Sequence, residues 1–93
     1  MNCDFIKQKV DNGAVVIDVR SEPEYANGRL KNSYNIPLEK LQASVSNISK
    51  DKEVLLYCRS GSRSQMATNY LNGLGFTASN IGGINQYIGC LDY

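Results

Sequence analysis

The sequence predicts an α/β domain with a mainly parallel central sheet flanked by helices. Two observations lead to it. The apolar runs at 14–19 and 53–57 are nearly continuous rather than alternating, as strands buried on both faces are. Segments with helical spacing separate the strand-like segments, the order that builds strand–helix–strand units. With 93 residues, the chain is expected to form one domain over 1–93, near the size at which a single core suffices.

Taken in order, Phe5, Ile6 and Val10 recur at helical spacing and stop at Asn12-Gly13, a helix-ending pair. Residues 14–19 read as the first strand. Ser21-Glu22-Pro23-Glu24 has the form of a capping box, with Ser21 as N-cap, Glu24 three residues on, and Pro23 tolerated in the first turn. Asn27-Gly28 closes that helix. Residues 33–36 form a short strand ended by Pro37. Leu38, Leu41, Val45 and Ile48 mark one face of an amphipathic helix. Residues 53–57 form the next strand. Met66, Ala67, Tyr70, Leu71 and Leu74 define the apolar positions of a helix over 62–74, with Gly75 past its end. Residues 76–81 make a last strand, polar enough to lie at or near an edge. Gly82-Gly83 then turns the chain into a short C-terminal helix.

Composition excludes several classes. The net charge of +1 gives no basic field for nucleic acid. No apolar stretch is long enough to span a bilayer, so no membrane partner is expected. The N-terminus lacks a signal-peptide hydrophobic region. That favours the cytoplasm, with the periplasm as the alternative if a signal peptide has been removed. Three cysteines, Cys3, Cys58 and Cys90, and no histidine make neither a disulfide framework nor a zinc site of ordinary spacing. No metal or cofactor is expected. Cys3 and Cys90 are read as unpaired, with a disulfide or a resolving-thiol role as the alternatives. A monomer is expected.

The chemistry gathers at Cys58-Arg59-Ser60-Gly61-Ser62-Arg63. Cys58 ends a strand, and a helix begins about four residues later. Gly61 can take positive φ and curl the backbone. The curl and the first helical turn aim free N–H groups at one point, an arrangement that holds an anion. A thiolate is an anion, so Cys58 is placed to ionise and act as a nucleophile. The plainer reading is a buried structural cysteine at an ordinary strand–helix turn. It leaves the two arginines around a Gly-Ser turn unexplained. Asp18 and Arg20 follow the first strand and share a face. They are read as an ion pair that holds loop ends together rather than as catalytic groups.

Cys58 to Ser64 resembles the active-site loop of rhodanese-type sulfurtransferases. Ile17-Asp18-Val19-Arg20 with Glu22-Pro23-Glu24-Tyr25 is similar to their first strand and the turn after it. Tyr34-Asn35-Ile36-Pro37-Leu38 resembles their second strand. Gly73-Leu74-Gly75-Phe76 and Ile81-Gly82-Gly83-Ile84 resemble the later blocks, in family order from about Val15 to Tyr87. The chain departs from the family at Arg29, where many members carry histidine, and at Tyr87, where relatives often carry tryptophan. Tyr87 is read as packing.

The resemblance implies a single-domain sulfurtransferase with Cys58 as nucleophile. The donor is a small sulfur-containing anion such as thiosulfate, and the acceptor is cyanide, a thiol or a protein. Arg59, Ser60, Gly61, Ser62 and Arg63 would form the substrate-binding loop. Arg59 would point outward to attract the donor. Arg63 would bind the donor's sulfonate or fix the turn through loop carbonyls. Asp18 and Arg20 would support the loop. With no histidine in the chain, the thiol must already be ionised. Two rivals stand beside this reading. One is a silent or relay binding module of the same family, against which the intact loop counts. The other is a Cys-dependent phosphatase or arsenate reductase. Their loops carry one residue more between Cys and Arg than the four present here, so this cradle is small for phosphate.

Overall fold

The computed structural model describes residues 3–93. Helix α1 spans Cys3–Asp11, strand β1 Val15–Asp18, helix α2 Glu22–Ala26, β2 Arg29–Leu30 and β3 Ser33–Asn35. A broken helical stretch follows, with short 3-10 turns at Leu38–Lys40 and Val45–Asn47 on either side of α3, Leu41–Ser44. Then come β4 Glu53–Cys58, α4 Ser62–Gly73, β5 Thr77–Gly83, a 3-10 segment Ile84–Cys90, and β6 Leu91–Asp92.

The main sheet runs in the order β3-β1-β4-β5, and all its pairings are parallel. The predicted fold class is therefore what the chain adopts. β5 is an edge strand, which accounts for its polar sequence. β4 lies inside the sheet, with side chains buried on both faces. Val54, Leu56 and Cys58 pack with Ile17, Val19, Ala67 and Leu71 on one side. Leu55 and Tyr57 pack with Ile6, Val16, Leu30, Ile81 and Tyr87 on the other. This is why the β4 sequence is continuously apolar. Buried Tyr57 also carries a polar tip across the second core. Its hydroxyl accepts from the Leu30 amide at 3.1 Å and bonds the Ser33 hydroxyl at 3.0 Å. Burial pushes this phenol well above its ordinary pKa.

Several sequence expectations need correction. The helix expected over 38–48 is broken, and of its four apolar positions only Leu41 is fully buried. In α4 the buried face is Ser64, Ala67, Thr68 and Leu71, while Met66 is 62% exposed and Tyr70 and Leu74 stand partly in solvent. Two polar side chains take core positions because each is hydrogen-bonded there. Thr68 donates to the Ser64 carbonyl at 2.7 Å, and Ser64 serves the loop described below. The two-residue strands β2 and β6, absent from the sequence reading, pair antiparallel, Leu30 with Leu91.

That pairing also corrects the reading of the terminal cysteines. Cys3 and Cys90 form a disulfide, with Cα atoms 5.6 Å apart, inside the range a bridge requires. The β2–β6 ribbon anchors residue 90, and α1 packs against the 3-10 segment before it. Cys90 packs with the core on the Tyr57 side of the sheet, whereas Cys58 faces the other side. Bonded to each other, neither terminal cysteine is a free resolving thiol.

Candidate active site

The site forms where β4 ends. Cys58 is its last residue, and its side chain has no exposed surface. Gly61 takes φ of +100° and is the N-cap of α4. Only glycine adopts that conformation readily, and it brings the Gly61 amide to 3.0 Å from Cys58 Sγ. The Ser64 hydroxyl reaches Sγ at 3.4 Å from one turn into the helix. Burial pushes the Cys58 thiol up. The Ser64 hydroxyl and the amides of Ser64, Gly61 and Ser60 outweigh it, so the thiol ionises below its ordinary range. The sequence reading assigned this effect to the converging amides. The Ser64 hydroxyl was missed.

Ser64 and Asn80 brace the loop from below. The Ser64 hydroxyl lies 2.7 Å from Asn80 Oδ1 and 3.1 Å from the Gly61 carbonyl. Asn80 Nδ2 donates to that same carbonyl at 3.0 Å. Asn80 Oδ1 also accepts from the Gly82 amide at 3.0 Å. The Ser64 hydroxyl has one proton and three acceptors in reach, of which an ionised Sγ would be the only full charge. The register of β5 against β4 shifts here. Leu56 pairs with Asn80 but Tyr57 with Gly82, so Ile81 is the extra residue of a bulge. Bulges commonly re-aim side chains beside sites. Gly83 lies against the loop backbone so closely that an added Cβ would sit 2.5 Å from the Arg59 carbonyl oxygen.

The other expected residues fall as follows. Ser60 and Ser62 are exposed, with hydroxyls 3.2 Å apart. Arg59 is exposed and lines an open cleft of about 290 Å³ with Asn27, Asn85 and Glu24. Arg63 bonds no loop carbonyl; it grips Glu24, Nη1 to Oε1 at 2.8 Å and Nη2 to Oε2 at 3.0 Å. The Arg63 hydrogen bond, aided by the Ser21 contacts, overcomes burial and holds the Glu24 carboxyl down at about 2. Asp18 and Arg20 pair as expected. Arg20 Nε and Nη2 meet Asp18 Oδ2 at 2.9 and 2.7 Å, and Nη2 also donates to the Gly28 carbonyl at 2.7 Å. This buried pair ties the end of β1 to the end of α2. Arg29 stacks on Tyr25 and donates to its carbonyl. Tyr87 is buried in the second core, as the packing role requires. Among the described residues no group of three or more Cys, Asp or Glu is placed to hold a metal ion. No described helix is long and apolar enough to cross a membrane.

Comparison with known proteins places this geometry. Residues 3–90 match the Rhodanese-like domain. The chain belongs to that family. Its rhodanese-like fold is shared with a rhodanese-related protein from Thermoplasma volcanium, at TM-score 0.83 and 30% identity, covering 96% of this chain and 89% of that one. YtwF of Bacillus subtilis is 34% identical over 80 residues, covering 84% of this chain and 78% of its own length. A sulfurtransferase of Allochromatium vinosum is 36% identical over 62 residues, covering 67% of this chain and 58% of its own. The rhodanese chain thus spans little more than half of that relative.

Proposed function

We propose that this rhodanese-family protein transfers sulfane sulfur from a donor such as thiosulfate to a thiophilic acceptor through a persulfide on Cys58. The observation that carries the reading is the Gly61 amide 3.0 Å from Cys58 Sγ, with the Ser64 hydroxyl beside it. Donors fixed around a sulfur stabilise its anion before any substrate arrives. In the first step the Cys58 thiolate attacks the outer sulfur of thiosulfate. A new S–S bond forms, the donor's S–S bond breaks, and its electron pair leaves with sulfite. In the second step the acceptor, for instance cyanide, attacks the outer sulfur of the persulfide. Thiocyanate leaves and the thiolate returns. Charge balances in both steps, and neither needs a general base. The outer sulfur stands about 2 Å beyond Sγ, so it carries the reacting atom out from the loop floor.

Arg59 is the group that draws an anionic donor or acceptor to the mouth, and the amides from Ser60 to Ser64 cradle the persulfide. Asp18 and Arg20 support the loop by fixing its neighbour. A thiol or a protein thiolate would serve as acceptor, and the protein would act as a monomer. The Cys3–Cys90 bridge supports an oxidising compartment over the cytoplasm, because reducing compartments keep such thiols apart. The test is intact mass. Thiosulfate is expected to add one sulfur, about 32 Da, to the wild type, and cyanide to remove it. Cys58→Ser should gain nothing. A Cys58→Ser protein that still turned over thiosulfate and cyanide would overturn the proposal.

A further inference from the structure

Arg63 stands in the first turn of α4, close enough to Cys58 for a thiolate there to favour its charged form. A free guanidinium in that place would bind tetrahedral oxyanions well. It is not free. Glu24 takes both terminal nitrogens. The carboxylate is itself fixed from behind, because Glu24 Oε1 accepts from the Ser21 amide and the Ser21 hydroxyl, each at 3.0 Å. The capping box that starts α2 therefore also holds the arginine of the loop. The neighbouring cation Arg20 is cancelled in the same way by Asp18. Arg59 alone of these three arginines has no hydrogen bond or ion pair with any described residue. The loop thus presents amides and one outlying charge rather than a clamp for a dianion.

We propose that Glu24 is a positioning residue that sets how tightly the Cys58 loop holds oxyanions: by occupying Arg63, it weakens the loop's grip on the sulfonate end of a donor and on free oxyanions alike. This rests on the sulfur-transfer reading above. It gives that reaction a way to release sulfite, its own oxyanion product, instead of retaining it. Glu24 acts through Arg63 and touches no reacting atom itself.

Glu24→Gln tests it. Glutamine preserves the capping-box acceptor but removes the charge that cancels Arg63. Sulfate is the probe, read as protection of Cys58 from iodoacetamide, which needs no sulfur transfer. Failure of the catalytic reading and failure of this inference are therefore separable. Glu24→Gln is expected to bind sulfate about tenfold more tightly than wild type, the scale of one added charge-assisted hydrogen bond. Its KM for thiosulfate should fall while kcat does not rise. Glu24→Gln with Arg63→Gln should return sulfate protection to the wild-type level. Should Glu24→Gln not fold, Glu24→Asp, too short to reach both nitrogens, should show a smaller shift in the same direction. Unchanged or weakened sulfate protection in the folded single variant would overturn the inference. So would a gain that survives loss of Arg63.

Discussion

Replacing Gly83 with alanine is expected to lower sulfur transfer by about a hundredfold while leaving the protein folded. The cause is space. Gly83 has φ of −97°, which any residue adopts. Its added methyl, however, would lie 2.5 Å from the Arg59 carbonyl oxygen, 3.2 Å from that carbonyl carbon and 3.3 Å from Ser60 Cα. All three are backbone atoms of the active loop and cannot rotate aside. Either β5 or the loop must move. The loop is the weaker of the two, since β5 is hydrogen-bonded along β4. Shifting it draws the Gly61 amide off Sγ, and displacements near 1 Å can cost about a hundredfold in rate. Overpacking of this kind costs about 1–3 kcal/mol in stability. Gly73→Ala is the control, because nothing lies within 4 Å of its added methyl. The checks are kcat/KM and a thermal melt on both variants. A fully active Gly83→Ala would mean that the loop does not depend on this seat.

The second large effect is on stability. Reducing the Cys3–Cys90 bridge, or replacing Cys90 with serine, is expected to destabilise the fold by roughly 4.5 kcal/mol. The two cysteines are 87 residues apart in sequence, so the bridge closes nearly the whole chain into one loop. Chain entropy removed from the unfolded state grows with the logarithm of that length. For a domain this small such a loss lowers Tm by more than about 15 °C. Melting with and without a phosphine reductant measures it. Cys58 should retain its depressed ionisation at temperatures where the reduced protein is still folded, because the bridge and the loop lie on opposite sides of the sheet. Identical melting curves would show that the bridge contributes nothing.

What the sequence revealed and what it concealed have physical causes. The β4–loop–α4 unit was legible because local signals coincide there: an apolar strand, a glycine at the turn and a helix directly after it. The capping box at Ser21 and Glu24 was equally local and is formed. Ser64 escaped notice because apolar periodicity locates buried faces, and its core position is polar. Its value comes from Asn80, sixteen residues on, and from the bulge that aims Asn80 at the loop. Glu24 was read for its cap alone, since its bond to Arg63 spans 39 residues. The disulfide depends on β2 and β6, two-residue strands too short to leave a periodic trace. In each case the missing information was tertiary.

Hydrogen bonds from Ser64 and from backbone amides shift Cys58 toward its thiolate against the effect of burial. The most direct measurement is the pH dependence of iodoacetamide alkylation, followed by mass spectrometry without reductant. With Cys3 and Cys90 bridged, Cys58 is the one free thiol, so the rate reports it alone. The midpoint is expected below that of the same cysteine in the denatured protein, where a thiol titrates near about 8.5. Ser64→Ala should move it upward by removing one donor while leaving the amides. A wild-type midpoint at or above the denatured value would contradict the account, for it would show that burial prevails and the loop holds a neutral thiol.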